Sequence, residues 1–290
     1  MVIITITKNS SKTLLDTVKS IEKQTYKNIK WIVIDENSKD NTLDIVKSSK
    51  LKKEIIQTKK KGIFVCYNQI IKILKKRKIK DIVFFLHSDD VLYSKNTLLN
   101  VNNIFKKHNI DALCGDVVFF KKNKKNIFRK WISSYPEKQI KIKNKLYKFK
   151  NFHKRDFFFG WSFPHTSFFF HTNVIKKIPY YNSKLKTSSD YGWTIKILLK
   201  NKFRVHYINK YIIRMKAGGT STNIKNIFYQ AINDFKIIKK LFYKTYSDYF
   251  YCLIILFFKK FEKLKQFFLS SSGNFPLFFI PKILFITLCP

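Results

Sequence analysis

The first ninety residues alternate between short runs of β-branched and aromatic residues and longer stretches with helical apolar spacing. The short runs predict strands, because such residues fit a pleated and partly buried surface. The predicted strands span residues 2–7, 29–34, 54–57 and 82–86. The predicted helices are residues 12–24 with Ser10 or Ser11 as N-cap, a stretch around Leu43 and Val46, and a stretch that opens at Gly62. Strands joined by helical crossovers form a parallel sheet, so we expect an α/β fold.

Two acidic pairs come after predicted strands. Asp35 and Glu36 follow the second strand, and Asp89 and Asp90 follow the fourth. Because the carboxyl ends of parallel strands meet at one edge, where open α/β sheets bind ligands, we expect the pairs to converge. The sequence has no dinucleotide-binding or P-loop glycine motif, so a diphosphate there would need a divalent cation held by carboxylates. The alternative is that each pair only ends a strand and caps the next helix.

The strong positive charge bears on the choice of partner. The chain has 58 basic and 18 acidic residues, a formal net charge of +40. Only five of the basic residues are arginine, the residue that base and phosphate recognition favours, and the lysines are spread along the whole chain. We therefore interpret most of the charge as solvated surface with some attraction to anionic membranes. A basic nucleic-acid-binding protein is the less favoured alternative.

The cysteines and the N-terminal segment suggest a cytoplasmic protein. Cys66, Cys114, Cys252 and Cys289 lack zinc-site spacing, so we expect reduced thiols. The chain opens with a predicted strand and not with a basic segment followed by an apolar leader.

Four motifs in register resemble those of the family 2 glycosyltransferases. They are the opening segment at residues 2–46, LHSDD at 86–90, SSDYGW at 188–193 and AGGTS at 217–221. The resemblance covers about residues 2–225 and implies the GT-A fold, a Rossmann-like and mostly parallel sheet flanked by helices. It also implies transfer of a sugar from a nucleotide-diphosphate donor with inversion, and a glycan or lipid-linked acceptor.

The resemblance assigns roles to particular residues. Donor nucleotide binding falls to Thr7, Asp35, Glu36, Lys61, Asn68 and Asp89. Asp89 and Asp90 would hold Mn²⁺ or Mg²⁺. Asp190 would be the catalytic base, and the alternative role for it is a helix N-cap or first-turn charge.

Three positions depart from the family pattern or stay ambiguous. His87 stands where many members have the first acid of the metal motif, and we expect it to orient water or to pack. Gly192 replaces a frequent second acid, which leaves Asp190 alone in its segment. His165 is a candidate contact for the acceptor or a phosphate, and a histidine satisfied within an aromatic core is the alternative.

We divide the chain into a nucleotide-sugar half at residues 1–90, an acceptor half at 91–223 and a helical tail at 224–290. A long amphipathic helix is predicted from about Ile224. The apolar runs at 249–258 and 274–290 are too short or too interrupted to span a bilayer. They could instead form helices buried in the core or helices that lie on the surface of an anionic membrane, and the sequence does not decide between these alternatives.

The resulting hypothesis is an inverting, metal-dependent glycosyltransferase that uses a uridine-linked donor in bacterial surface polysaccharide synthesis. We expect it in the cytoplasm, peripheral to the inner face of the membrane and without nucleic acid. A catalytically silent partner subunit is the alternative.

Overall fold

A computed structural model describes residues 1–77, 81–120, 127–131, 146–148, 163–200, 203–216 and 224–242. The AGGTS segment and the predicted tail after residue 242 lie outside the described residues. In the part of the chain that is described, no helix combines the length and the apolar character needed to cross a membrane.

The first half forms the parallel side of a mixed sheet, which confirms the predicted alternation. Its strands are β1 (Val2–Thr7), β2 (Lys30–Asp35), β3 (Lys52–Gln57) and β4 (Ile82–Phe85), in the order β3-β2-β1-β4. Its helices are α1 (Ser11–Glu22), α2 (Thr42–Ser48) and α3 (Ile63–Lys76). Every residue of β1 and β4 is buried, as expected for strands covered on both faces.

The second half extends the sheet with mainly antiparallel pairs. Its elements are β5 (Val91–Leu92), α4 (Thr97–Lys107), β6 (Ala112–Phe120), β7 (Ile127–Trp131), β8 (Leu146–Lys148), β9 (Phe169–His171), α5 (Ser189–Ile195), β10 (Val205–Lys216) and α6 (Ile224–Phe242). Two 3₁₀ helices (His165–Ser167 and Thr172–Lys177) flank β9, and a π-helix (Lys196–Lys200) continues α5. The sheet order is β3-β2-β1-β4-β9-β6-β10-β5. Strand β9 pairs antiparallel with both β4 and β6, and so it joins the two halves.

The core has a layer on each face of the sheet because alternate residues of a strand point to opposite faces. Val2 and Ile4 belong to the layer under α3, α5 and α6, whereas Ile3 belongs to the layer under α1 and α4. The amphipathic helix predicted from about Ile224 is confirmed as α6, and its Ile238 is buried in the first layer. Helix α6 therefore packs on the sheet as part of the same core.

Gly192 and Gly115 lie where atoms of a neighbouring element approach closely. A β-carbon at Gly192 would lie 3.2 Å from Ile237 of α6, which explains a glycine where an acid is frequent. A β-carbon at Gly115 of β6 would lie 2.4 Å from Ile212 and 2.9 Å from the Lys210 carbonyl of β10. A side chain at Gly115 would force β10 to shift, whereas one at Gly192 would require Ile237 to move slightly.

Candidate active site

The acidic turn, residues 35–40, follows β2 and is held by its own hydrogen bonds. Asp35 is fully buried; the Ser38 N–H donates to its Oδ2 (2.9 Å) and the Ser38 hydroxyl to its Oδ1. Asn37 adopts φ +55°, a left-handed conformation that asparagine tolerates. Glu36 accepts from the Gly62 N–H (3.1 Å), so the turn is tied to the start of α3.

Strand β1 ends between the two acidic pairs. Thr7 lies opposite Asp35 in the register, and its carbonyl accepts from the Glu36 N–H (2.9 Å). The Thr7 hydroxyl is buried without a hydrogen-bond partner among the described atoms. Beyond it, the hydroxyls of Ser10 and Ser88 share a hydrogen bond of 3.0 Å. Ser10 is the N-cap residue of α1, as predicted, but its hydroxyl makes this bond and no capping hydrogen bond.

The metal motif after β4 gathers three side chains. Single ligand atoms from His87, Asp89 and Asp90 all lie within 4.8 Å of one another. The His87 Nδ1 is 3.5 Å from Asp90 Oδ2. Carboxylate oxygens with an imidazole nitrogen suit manganese well and magnesium less well. The motif therefore offers the ligand types that a divalent cation needs.

Asp90 is a buried carboxylate of the metal motif that lies close to a second carboxylate. It is 1% exposed, and its Oδ2 has no hydrogen-bond partner among the described atoms. Burial first, and the neighbouring Asp89 second, raise the pKa of Asp90 well above its usual range. A cation would remove both penalties, so the residues present fit a divalent metal ion.

Asp190 lies in the first turn of α5, on the side of the second half. The preceding Ser188 has φ +65°, a strained conformation for serine that is typical of functional sites. Burial first, and Asp234 of α6 second, raise the pKa of Asp190. A carboxylate with a raised pKa is better matched to taking a proton near neutral pH.

An aromatic cluster of Tyr67, Phe85, His165, Tyr181 and Trp193 lies behind the metal motif. The His165 ring stacks on Phe85 at 5.2 Å and meets Trp193 edge-on at 5.5 Å, while its Nε2 is hydrogen-bonded to the Tyr181 hydroxyl. Burial and the nearby His87 lower the pKa of His165 to about 3, so this ring is neutral at ordinary pH. The cluster connects the end of β4 to the helix that carries Asp190.

His87 and His165 lie face to face, with ring centroids 6.3 Å apart and an interplanar angle of 23°. His87 thus packs against the aromatic cluster while its Nδ1 faces Asp90. Its expected packing role and a role as metal ligand both fit this position.

Two other sequence-assigned residues, Asn68 and Lys61, belong to α3 and to the loop before it. Asn68 uses its amide on the Tyr181 backbone, accepting from the N–H (2.8 Å) and donating to the carbonyl (3.0 Å). Lys61 is exposed on the loop before α3. Their contacts with a donor stay predictions.

The sequence reasoning missed Tyr67 and Asp234. Tyr67 is buried, and Asp190, Asp90 and Asp89 add to the effect of burial in raising the pKa of its hydroxyl. This places Tyr67 close to the carboxylates of both halves. Asp234 is buried on the apolar face of α6, and an acid on an apolar helix face was a signal available in the sequence.

Comparisons with known proteins were made at three levels. The family model for "Glycosyl transferase family 2" matches residues 2–173. No curated protein matches the chain significantly.

Two solved structures illustrate the structural likeness. S. aureus TarS 1–349 in complex with UDP-GlcNAc has a TM-score of 0.59 and 20% identity, over 89% of this chain and 71% of that chain. The mannosyltransferase PcManGT from Pyrobaculum calidifontis, in complex with GDP-Man and Mn²⁺, has a TM-score of 0.56 and 14% identity, over 99% of this chain and 78% of that chain. The likeness confirms the predicted GT-A fold.

Proposed function

Because this chain belongs to glycosyl transferase family 2 and is a glycosyltransferase, we propose that it transfers a sugar from a nucleotide-diphosphate donor with inversion at the anomeric carbon. The observation that carries the proposal is the buried Asp90 Oδ2, which has no hydrogen-bond partner among the described atoms and lies beside Asp89 in the segment after β4. The aromatic cluster connects this region to Asp190, because His87 packs on His165 and His165 contacts Trp193 of α5, the helix that carries Asp190 in its first turn.

The donor occupies the carboxyl ends of β1, β2 and β4, within residues 1–90. Asp35 and Glu36 bind the base and ribose, helped by Thr7, whose hydroxyl is available, and by Lys61 and Asn68 from the α3 segment. A uridine-linked donor is our first choice, supported by the fold shared with TarS, which was solved with UDP-GlcNAc.

Asp89 and Asp90 would hold a divalent cation, Mn²⁺ or Mg²⁺. When bound, it neutralises the charge that develops on the diphosphate leaving group. PcManGT, which was solved with Mn²⁺, has a related fold, and His87 adds a nitrogen that favours manganese. The protein's own part is to keep the two carboxylates in place, with His87 Nδ1 3.5 Å from Asp90 Oδ2.

Asp190 takes the proton of the attacking acceptor hydroxyl. The acceptor oxygen then bonds to the anomeric carbon as the bond to the diphosphate oxygen breaks. One in-line displacement inverts the anomeric configuration. His165 is neutral and bonded to Tyr181, so it positions the aromatic cluster next to a phosphate or the acceptor.

The acceptor is a glycan or lipid-linked glycan bound by residues 91–223, and the product belongs to a bacterial surface polysaccharide. The enzyme works in the cytoplasm at the inner face of the membrane. Helix α6 supports this location, because it exposes Tyr229 (49%) and Ile232 (51%) on the same side as the exposed Lys236. A catalytically silent partner subunit would need neither Asp190 nor a metal.

The test of function is hydrolysis of a panel of nucleotide sugars with Mn²⁺, with Mg²⁺ and with EDTA. We expect one donor to be hydrolysed and bound only with a metal, by calorimetry as well as by product release. Equal affinity in EDTA would reject the metal assignment. Binding without hydrolysis or transfer would favour the silent subunit.

The test of location is flotation with anionic phosphatidylglycerol vesicles at low and high salt. Wild-type protein should float at low salt, and the double variant Tyr229→Ser/Ile232→Ser should float less. If neither protein floats, the membrane proposal is wrong.

A further inference from the structure

A cavity of about 350 Å³ lies between the start of α4 and the middle of β10. Its lining contains none of the residues assigned to the donor, the metal or the base. A volume in this range is large enough for a small ligand. The cavity is therefore a candidate second site.

An irregularity in β10 builds the cavity. Tyr207 of β10 pairs with Cys114 of β6, and Tyr211 pairs with Asp116. Strand β10 therefore has two more residues than β6 between these pairs, and Gly115 lies opposite them. Because Gly115 has no β-carbon, the Lys210 carbonyl and Ile212 can lie directly over it. The extra residues of β10 form one wall of the cavity, and α4 forms the other. Such bulges are specific features of a fold and often lie next to active sites.

The lining combines two aromatic rings with uncharged polar groups. Tyr93 and Tyr211 have ring centroids 5.4 Å apart with an interplanar angle of 51°, and Tyr93 is 40% exposed. Asn100, Asn209 and Thr97 contribute amides and a hydroxyl, and Lys210 adds one positive charge without any acidic lining residue.

This chemistry matches a saccharide better than other ligand classes. Tyrosine faces cover the apolar C–H faces of a sugar ring while its hydroxyl groups pair with amides. A single lysine offers too little charge for a nucleotide diphosphate, and the polar lining does not suit a purely apolar ligand. The absence of acids in the lining admits neutral or anionic sugars.

We propose that this cavity is an accessory saccharide-binding site that holds a part of the acceptor away from the point of transfer. Strand β10 links the two places, since its Arg214 pairs with Val91, the residue that follows Asp90. The acceptor role rests on the proposed function, whereas saccharide binding itself does not.

The experiment is a glycan array of bacterial oligosaccharides probed with the full chain in EDTA and without donor. Tyr93→Ala tests the exposed ring, and Tyr211→Ala tests the half-buried one. Tyr180→Ala is the matched control, because Tyr180 is 45% exposed and lies outside the cavity. Circular dichroism confirms that each variant is folded.

We expect wild type and Tyr180→Ala to bind the same oligosaccharides, and Tyr93→Ala to bind them at least about tenfold more weakly, about 1.4 kcal/mol. No glycan bound by wild type, or equal binding by Tyr93→Ala, overturns the proposal. Nucleotide-sugar hydrolysis by the wild type is measured separately. Glycan binding without hydrolysis would reject the proposed function and keep this site, and the reverse result would reject only this site.

Discussion

We define the carboxylate cluster as Asp89, Asp90 and Asp190. The acidic turn and the carboxylate cluster both contain buried aspartates, but they differ in whether the protein supplies hydrogen bonds to them. In the acidic turn, both oxygens of Asp35 accept hydrogen bonds from Ser38. In the cluster, burial raises the pKa of Asp90 and Asp190, and a further carboxylate adds to each shift. The turn is satisfied by the protein, whereas the cluster needs a ligand.

The difference follows from what surrounds each carboxylate. A buried carboxylate is stable as an anion when hydrogen-bond donors surround it, and it is unstable when only another carboxylate is near. Asp35 is therefore fixed before any ligand arrives, which suits recognition of a base and ribose. The cluster stores unfavourable electrostatic energy that a cation and an acceptor proton can relieve.

Substitution in the cluster should cost activity more than stability. We predict that Asp190→Asn slows transfer by roughly 10²–10⁴-fold with donor affinity nearly unchanged, because a positioned base contributes about that much. Asp89→Asn should weaken metal-dependent donor binding instead. Donor calorimetry beside transfer rates separates the two effects. If Asp190→Asn transfers sugar at the wild-type rate, Asp190 is not the base and its role is limited to the N-terminus of α5.

The stability effects should have opposite signs in the two regions. Asparagine has one acceptor oxygen where both Asp35 oxygens accept, so Asp35→Asn should lower the free energy of unfolding by about 1–3 kcal/mol. Metal-free Asp90→Asn should instead melt at a higher temperature than wild type at pH 7. Thermal unfolding with EDTA measures both. A lower melting temperature for Asp90→Asn would contradict the comparison.

The pH dependence of stability should show whether the Asp90 carboxylate stabilises or destabilises the metal-free protein. The folded pKa of Asp90 is raised, so ionisation destabilises the metal-free protein. The free energy of unfolding should therefore fall as the pH rises from the pKa of aspartate in the unfolded chain, about 3.9, through the higher pKa of Asp90 in the folded protein. Asp90→Asn should remove that fall.

Asp234, on the neighbouring helix α6, should affect the pKa of the proposed base Asp190. Because Asp234 helps to raise the pKa of Asp190, Asp234→Asn should move the acid limb of the transfer rate to lower pH. Lys236→Gln, an exposed change on the same helix, is the control. An unmoved limb in Asp234→Asn would show that the two carboxylates are uncoupled during catalysis.

The smallest effect should come from the link between the two regions. The Ser10 and Ser88 hydroxyls join the start of α1 to the metal motif. A double-mutant cycle of Ser10→Ala and Ser88→Ala should give a coupling energy of about 0.5–1.5 kcal/mol. Zero coupling would mean that the acidic turn and the cluster are held independently on this side.

The sequence predicted the parallel half well because its signals are local. The run at residues 2–7 matches β1, and the buried run after residue 81 matches β4 to within one residue. The acids were placed correctly at strand ends because a strand's direction determines which edge its last residue reaches.

The second half depended on contacts between distant parts of the chain. No local pattern shows that β9 lies between β4 and β6, or that Ser10 bonds to Ser88 across 78 positions. Asn68 was assigned to the donor from its motif, yet its amide binds the Tyr181 backbone 113 residues away. Such pairings depend on the folded arrangement of the whole domain.

The close approach of Gly192 to Ile237 limits how far this protein can be shortened. The segment that matches the family model ends at residue 173, before Asp190 and before α6. A protein cut at residue 223 would lose Ile238 from the core layer and Asp234 from the neighbourhood of the base. A piece that keeps both therefore has to include α6, which ends at Phe242. Trimming for expression or crystallisation can therefore begin only after that residue.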